Sequence, residues 1–217
     1  MSKNSADLLR MRLRSLREAI PVAERQHGSA TMCSALLSWF EARLLARTQL
    51  GQTAPEIVAG FWPLDGEPDL RPIFAPLHEL GYIVSLPVVV NKQAPLEFRA
   101  WRPQDPLARG AFGVLEPVGG EVLDPAVLLV PTLGFTDHGA RIGYGGGYYD
   151  RTLSCLNEKG LPFVAIGIAW DQARIAEEAG HRPEEHDYPL DAILTPSGWV
   201  PTSGTIPAKS TRSLRHY

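Results

Sequence analysis

Apolar residues near the amino terminus recur with the spacing of one helix face. Within residues 5–20 they stand at intervals of four, three and four positions, which indicates an apolar stripe along a helix. The stripe consists of Leu9, Leu13, Leu16 and Ile20. Pro21 can begin a second helix, which runs to about Leu50 before Gly51 ends it. The chain is therefore predicted to begin with two helices.

Beyond these helices the pattern changes to short, continuous apolar runs. Such runs predict buried strands at 57–62, 82–90, 127–130, 162–170 and 191–196, and residues 96–101 alternate like a strand with one exposed face. Helical spacing predicts helices at 69–81, 148–158 and 173–180. This alternation indicates an α/β fold with a mostly parallel sheet and helices on both faces, a Rossmann-like three-layer arrangement.

The domain organisation follows from the same pattern. We find no internal repeat and no linker, so residues 1–200 are predicted to form a single compact domain. Residues 201–217 lack a core pattern and are predicted to be a flexible tail. Ligands of such sheets bind outside the carboxyl ends of the strands, so the loops after Trp62, Val90, Pro131 and Trp170 are predicted to share one rim.

The loop that follows the strand at 127–130 carries the most specific signal. Its sequence RIGYGGGYYDR begins at Arg141 and places glycine at positions 143, 145, 146 and 147, before a predicted helix. A glycine-rich loop between a strand and a helix can bind phosphate through free backbone N–H groups and the helix dipole. The loop lacks the Gly-Lys-Ser/Thr ending of a Walker A loop, and Tyr148 stands where the dinucleotide fingerprint requires glycine. A tight surface turn is the structural alternative.

Carboxylates near this loop suggest a metal. Asp150, at the predicted helix start, can stabilise the helix dipole or bind Mg²⁺ beside a phosphate. The stretch EEHDYPLD offers further carboxylates, which a solvated acidic loop would also explain. These are Glu184, Glu185, Asp187 and Asp191, with His186 among them.

Three other features have both a functional and a structural interpretation. Arg10, Arg14 and Arg17 form a basic stripe on the first helix, which faces either an anion or solvent. Glu67 in the loop LDGEPDL is either a binding residue or a solvated loop residue. Several aromatic residues, taken singly, fit the core: Trp62, Phe98, Trp101 and Phe112.

Composition and charge exclude several functional classes. The chain has 217 residues, 44% hydrophobic and 21% charged, and a net charge of −3, so no strong electrostatic attraction to nucleic acid or anionic membranes is expected. No apolar run approaches the roughly 18 residues of a membrane span, and no signal peptide is visible, so we expect a cytoplasmic protein. Cys33 and Cys155 are predicted to be buried free thiols. The pattern of Ser, Cys, His and Asp residues does not support covalent catalysis.

Taken in order, the motifs resemble those of the 5-formyltetrahydrofolate cyclo-ligase family, also called methenyltetrahydrofolate synthetases. The resemblance spans roughly residues 6–200 and is most specific in LLVPTLGFTDHGARIGYGGGYYDR at 128–151. It is also visible in FWPLDGEPDLRPI at 61–73, SLPVV at 85–89, GAFGVLEP at 110–117 and EEHDYPLDAILT at 184–195. It implies an enzyme that uses ATP and Mg²⁺ to close 5-formyltetrahydrofolate to 5,10-methenyltetrahydrofolate, with ADP and phosphate released. We expect these small molecules as its partners and expect a monomer.

The resemblance also implies roles for individual residues. ATP phosphates would bind to Arg141, Gly143, Tyr144, Gly145, Gly146, Gly147, Tyr148 and Tyr149, with Arg10 and Arg14 reaching ATP from the first helix. Asp150 and Asp187 would hold Mg²⁺, so that Arg141 and Asp150 are the expected catalytic pair. Glu67 would bind the folate pterin, and residues 144–148 would line the folate side of the loop. Family members usually have lysine where this chain has Ala6, and Lys3 lies one turn earlier.

Two alternatives to the enzyme remain open at the level of sequence. A non-catalytic regulatory module would bind nucleotide or folate without turnover, with Ala6 as its signature. A sugar-phosphate isomerase on a similar scaffold would use a phosphate loop with a general base and no ATP.

Overall fold

A computed structural model describes residues 3–175 and 188–200, with side chains from residue 5 onward. Its α-helices are α1 (Lys3–Glu18), α2 (Val22–Gln49), α3 (Phe74–Glu79) and α4 (Tyr148–Glu158). The strands of the main sheet are β1 (Ile57–Ala59), β2 (Ile83–Val88), β3 (Glu97–Ala100), β6 (Val122–Leu123), β7 (Val127–Pro131), β10 (Val164–Ile168), β11 (Ala192–Thr195) and β12 (Gly198–Val200). Two small hairpins pair β4 (Leu107–Arg109) with β5 (Leu115–Pro117), and β8 (Gly134–Phe135) with β9 (Arg141–Ile142).

The main sheet has the order β12-β11-β10-β7-β1-β2-β3-β6. Its five central strands, from β11 to β2, are parallel, and β12 and β3 flank them antiparallel. If the five parallel strands are numbered 1 to 5 along the chain, they lie side by side in the sheet in the order 2-1-3-4-5. The winding direction therefore reverses between β1 and β7. A doubly wound sheet binds its ligands at such a switch point, outside the carboxyl ends of the two strands.

Consecutive residues of β7 show how both faces of the sheet are covered. Val127 and Leu129 pack with α2 and α3, whereas Leu128 and Val130 pack on the other face with α4. All four side chains are fully buried. Because side chains alternate along a strand, only a strand covered on both faces can be apolar at every position. This confirms the predicted α/β class.

The amino-terminal helix occupies a different place from the other three. Leu13 of α1 packs with Leu133 and Ile142, which lie beyond the carboxyl end of β7, and with Ile175. Leu16 does not join this contact and is 39% exposed, so one member of the predicted apolar stripe faces solvent. As a result, α1 covers the rim where ligands of the sheet are expected.

Several local predictions need correction. Residues 69–81 form a 3-10 turn, Arg71–Ile73, followed by the short α3, because Pro72 and Pro76 limit the helix. Of the helix predicted at 173–180, the described part holds only the end of a 3-10 turn, Asp171–Ala173. The segment 102–120, for which no element was predicted, contains the β4–β5 hairpin.

Both cysteines are free, as predicted, but only one is buried. Cys33 is buried in α2, while Cys155 on α4 is half-buried. Burial raises the pKa of the Cys33 thiol to about 11, with the charge of Asp69 acting in the same direction, so this thiol is un-ionised and inert at neutral pH.

Candidate active site

A cavity of about 500 Å³ lies at the switch point of the sheet. Its size is typical of sites for small organic ligands. It is bounded by α1, by the loop after β1, by the β4–β5 hairpin and by the segment 141–150. The predicted site residues within the described chain all line it: Arg10, Arg14, Glu67, Arg141, Gly143, Tyr144, Gly145, Gly146, Gly147, Tyr148, Tyr149 and Asp150. Asp187, the second predicted metal ligand, lies outside the described residues.

The glycine loop turns directly into α4. Gly145 and Gly147 have φ values of +92° and +64°, which residues with a Cβ rarely adopt, and Gly147 is the N-cap of α4. Among the described residues, no side chain caps the first turn of this helix. Its leading N–H groups and the positive end of its dipole therefore suit an anion.

Arg141 and Asp150 form an ion pair at the start of α4. The guanidinium Nη2 lies 2.5 Å from the carboxylate Oδ1, and the two side chains are 5% and 18% exposed. The Nε of Arg141 is buried and has no hydrogen-bond partner among the described residues, which leaves it a spare donor. The carboxylate of Asp150 is therefore paired with Arg141 and does not cap the helix.

Tyr149 is packed beneath this pair. The Arg141 guanidinium lies 5.7 Å from the centre of its ring, and the hydroxyl is buried without a hydrogen-bond partner among the described residues. Burial raises the pKa of Tyr149, and the negative charge of Glu67 adds to this, while Arg141 acts in the opposite direction. The hydroxyl is therefore protonated at neutral pH and can donate a hydrogen bond.

A second network joins Glu67 to the glycine loop. Tyr144 donates its hydroxyl to Glu67, and Arg17 Nη1 donates to the Tyr144 oxygen at 2.5 Å. The other carboxylate oxygen of Glu67 accepts the backbone N–H of Leu64 at 2.7 Å. The side chain of Glu67 is only 5% exposed, so the interpretation as a solvated loop residue is wrong.

Burial has the largest effect on the ionisation of Glu67. It raises the pKa of this carboxyl, and the hydrogen bonds from Tyr144 and Leu64 and the charge of Arg17 only partly counteract it. The loop that carries Glu67 is held in place by Trp170, whose indole N–H donates to Gly66 O at 2.7 Å. Gly66 has a φ of +78°, which turns the chain so that the next side chain points inward.

The arginine stripe of α1 does not form a simple solvated face. Arg10 Nε donates to Gly143 O at 3.2 Å, Arg14 lies 6.0 Å from the ring centre of Tyr144, and Arg17 bonds the hydroxyl of the same tyrosine. The sequence-based prediction placed Arg10 and Arg14 in the site and omitted Arg17. The spacing of 10, 14 and 17 on one helix face was the available signal.

The four aromatic residues divide into two groups. Phe98 and Trp101 are buried, as predicted for core residues. Trp62 is half-buried and Phe112 is 71% exposed, and both line the cavity. The core interpretation is therefore wrong for Phe112.

The described residues contain no cluster of metal ligands. No group of three or more His, Cys, Asp or Glu side chains is placed to hold a metal ion within residues 3–175 and 188–200. Asp191, suggested as a carboxylate of the acidic loop, instead accepts the backbone N–H of Ala165 at 2.8 Å. Asp150 fits Mg²⁺ as a single carboxylate beside a phosphate loop, because Mg²⁺ needs only one or two protein carboxylates when phosphate oxygens and water complete its shell.

Comparison with known proteins identifies the family. The model of the 5-formyltetrahydrofolate cyclo-ligase family matches residues 2–196. The chain belongs to this family. The 5-formyltetrahydrofolate cyclo-ligase of Mycolicibacterium smegmatis is 33% identical over 205 residues, covering 90% of this chain and 96% of the relative. The Escherichia coli K12 protein of the same name is 36% identical over 146 residues, covering 64% of this chain and 78% of the relative.

Solved structures share the fold of this cyclo-ligase family member. The 5,10-methenyltetrahydrofolate synthetase of Aquifex aeolicus superposes with a TM-score of 0.69 at 24% identity, covering 98% of this chain and 97% of that one. The synthetase of Mycoplasma pneumoniae gives a TM-score of 0.65 at 19% identity, covering 88% and 98%. These structural similarities confirm the predicted fold. Among the described residues, no helix combines the length and apolar character of a membrane span.

Proposed function

We propose that this protein is an ATP-dependent ligase that closes 5-formyltetrahydrofolate to 5,10-methenyltetrahydrofolate with release of ADP and phosphate. The observation that carries the proposal is that one cavity combines a glycine loop at a helix N-terminus with a buried carboxylate, Glu67. The first element suits a phosphate chain, and the second suits the N–H groups of a pterin. Membership of the cyclo-ligase family gives this pairing its reaction.

The phosphate side of the cavity is formed by residues 141–150 and α1. Arg141, the amides of residues 143–149 and the guanidinium groups of Arg10 and Arg14 would bind the phosphates of ATP. The spare Nε donor of Arg141 supports this role, since a buried donor without a partner favours a ligand that provides an acceptor. Glu67 and residues 144–148 would form the folate side.

The chemistry requires activation of an oxygen that leaves poorly. The formyl oxygen of the substrate is amide-like, so N10 cannot expel it unaided. Transfer of the γ-phosphoryl group to this oxygen gives an iminophosphate, which N10 attacks before phosphate departs. Phosphoryl transfer needs positioning and charge neutralisation rather than a protein nucleophile. Consistent with this, no Ser, Cys, Lys or His is found among the described residues that line the cavity.

Asp150 would hold Mg²⁺, together with Asp187, which the family resemblance assigns to the same role. When bound, Mg²⁺ would neutralise charge on the phosphates. Arg141 now balances the charge of Asp150 and would turn to the phosphate when the carboxylate turns to the metal. The pair thus keeps both groups at the cavity wall before ligands arrive.

The direct test is the formation of the methenyl product. We expect absorbance of 5,10-methenyltetrahydrofolate to rise when the protein is mixed with 5-formyltetrahydrofolate, ATP and Mg²⁺, and to stay flat when either ATP or Mg²⁺ is omitted. An absence of ATP-dependent product at micromolar protein would refute the proposal.

A second function is favoured by one observation. Ala6 lines the cavity at the position where family members usually carry lysine, so one expected cation is missing from the phosphate side. A regulatory module would bind Mg-ATP and folate without turnover. Calorimetric titration of both ligands, run beside the absorbance assay, separates the two functions, because binding without product supports the module.

A further inference from the structure

The β4–β5 hairpin forms the apolar wall of the cavity. Ala111, Phe112 and Val114 of its turn line the cavity beside Pro87, Val89 and Leu96. Among the described residues that line this wall, Glu116 is the only charged one. The wall therefore suits a neutral ring more than a chain of phosphates.

Phe112 is in a conformation that folding stability alone does not explain. Its φ is +60°, one of two positive values among the described non-glycine residues, and its side chain is 71% exposed. A bulky residue with positive φ is strained, and an exposed ring recovers little of that cost by burial. Backbone strain of this kind clusters at ligand-binding positions.

The turn around Phe112 is held firmly. Gly110 N–H donates to Val114 O at 2.8 Å, and Arg109 Nη1 donates to Gly113 O at 3.2 Å. Glu116 accepts the backbone N–H of Val89 at 3.4 Å, which ties the hairpin to the end of β2. These bonds hold the backbone of the turn that carries Phe112.

The ring of Phe112 meets Tyr148 at the start of α4. Their centroids are 5.8 Å apart and the rings are nearly perpendicular, at 71°. Tyr148 is itself placed by Arg151, whose guanidinium lies 5.0 Å from its ring centre and also bonds Gly146 O at 2.8 Å. Two fixed aromatic rings thus border the cavity where the glycine loop meets the apolar wall.

We propose that Phe112 is a specificity-determining residue, which together with Tyr148 forms the seat for the planar ring system of the folate substrate. This inference rests on the proposed function. Aromatic rings bind each other through offset-stacked or edge-to-face contacts, which the exposed faces of this pair offer. Glu116 on the same wall disfavours the phosphates of ATP, so we assign the seat to folate, and the test below distinguishes folate from adenine.

The test compares four variants in the absence of turnover. Phe112→Ala, Phe112→Gly and Phe112→Tyr are titrated with 5-formyltetrahydrofolate alone and with Mg-ATP alone by calorimetry, and their melting temperatures are measured. Val118→Ala is the matched control, because Val118 is 58% exposed near the same hairpin and does not line the cavity.

We expect Phe112→Ala and Phe112→Gly to raise the Kd for 5-formyltetrahydrofolate about tenfold, as loss of one aromatic contact and its apolar area predicts. The Kd for Mg-ATP should stay within about twofold. Phe112→Gly should melt no lower than the wild type, because glycine relieves the positive φ. Phe112→Tyr and Val118→Ala should bind folate as the wild type does.

Three results would overturn the inference. The first is unchanged folate affinity in Phe112→Ala, and the second is a loss confined to Mg-ATP, which would assign the ring to adenine. The third is a parallel loss of both affinities and of melting temperature, which indicates a structural role. Folate binding that depends on Phe112 without any methenyl product would support the inference and reject only the proposed reaction. A wild type that binds no 5-formyltetrahydrofolate would reject both.

Discussion

Arg141 and Asp150 balance each other's charge at the cavity wall, so replacing either one exposes the role of the other. We expect Asp150→Asn to reduce turnover far more than folate affinity, because the carboxylate is proposed to act through Mg²⁺ and not through folate. Arg141→Ala should lower kcat by about 10²-fold or more, the effect of removing one charge-stabilising group. Steady-state kinetics and folate titration measure the two effects separately.

The control for this prediction is a second ion pair on the surface. Lys159 and Asp124 lie 2.8 Å apart with both side chains 49% exposed, far enough into solvent that their pairing contributes little. Lys159→Ala should leave both kcat and folate affinity unchanged. Equal losses of turnover and folate affinity in Asp150→Asn would argue against the metal role.

Glu67 makes stability depend on pH in a direction that can be tested. Burial raises the pKa of its carboxyl in the folded protein above the ordinary value of 4.5. Its contribution to stability is therefore fully present below pH 4.5 and is lost as pH rises through the folded-state pKa. Glutamine removes the charge and keeps one acceptor oxygen, while its NH2 group replaces the other and gives up one acceptor contact at every pH. Because only the wild type ionises in this range, Glu67→Gln should gain stability relative to the wild type as pH rises from 4 to 8, while it loses folate affinity.

Urea denaturation across this pH range measures the difference in unfolding free energy. Glu158→Gln, at an exposed position on α4, corrects for the loss of one formal charge. If the unfolding free energy of the wild type instead rises relative to that of Glu67→Gln as pH increases, the effect assigned to burial of the carboxylate is contradicted.

The sequence predicted many of the residues that line the site, but not which of them contact each other. Glycine spacing indicated the loop, and the family resemblance assigned Arg10 and Arg14 of the arginine stripe to the site. The contact of Tyr144 with Arg17 joins residues 127 positions apart, and its contact with Glu67 spans 77 positions. No local pattern contains such distances, so the network that buries Glu67 could not be predicted from one sequence.

At the scale of elements, the predictable parts were those with a strong apolar pattern. Strands β7 and β10 are covered on both faces, so each appears in the sequence as an unbroken apolar run. The hairpin strands β4, β5, β8 and β9 have two or three residues each, which is too short for a periodic apolar pattern, so they gave no signal. These weakly patterned hairpins carry Phe112 and Arg141, and the sequence therefore predicted the scaffold better than the walls of the site.

The packing of α1 gives a prediction at this scale. Leu13 is 4% exposed and anchors the helix against Leu133 and Ile142. Leu13→Ala should cost about 2–4 kcal/mol of unfolding free energy through lost contacts and a cavity. It should also raise the KM for ATP, because the arginines of α1 would no longer be held against the glycine loop. Leu8→Ala is the matched control on the same helix, 60% exposed, and should change stability by less than about 0.5 kcal/mol. If Leu13→Ala loses stability but keeps the KM for ATP, the position of α1 does not affect ATP binding.

At the scale of the whole molecule, the strand order decides where the parts meet. The apolar runs predicted which segments are strands, but not that β1 lies between β2 and β7. That order brings the loop after β1 beside the loop after β7, and so places Glu67 next to the glycine loop. Strand order depends on packing of the complete sheet, which no single segment of sequence encodes.

Ligands that bind only the folded protein should stabilise all of it. A ligand at 100 times its Kd adds about 2.7 kcal/mol to the unfolding free energy. We therefore expect Mg-ATP and 5-formyltetrahydrofolate each to raise the melting temperature at that excess. In Asp150→Asn the part of the ATP effect that requires Mg²⁺ should disappear, while the folate effect remains. Thermal unfolding with ATP in the presence and absence of Mg²⁺ measures this, and a magnesium effect that persists in the variant would contradict the role of Asp150.

The position of α1 also has a consequence for how the protein is made. The helix is synthesised before the segments it packs against, because its partners Leu133, Ile142 and Ile175 follow more than a hundred residues later in the chain. Contacts at such sequence separation form late, because the entropy of closing the loop must be offset by the sheet that spans it. The arginines of α1 therefore remain without their contacts to the glycine loop until β7 and that loop have been synthesised, and the candidate site can assemble only after that point.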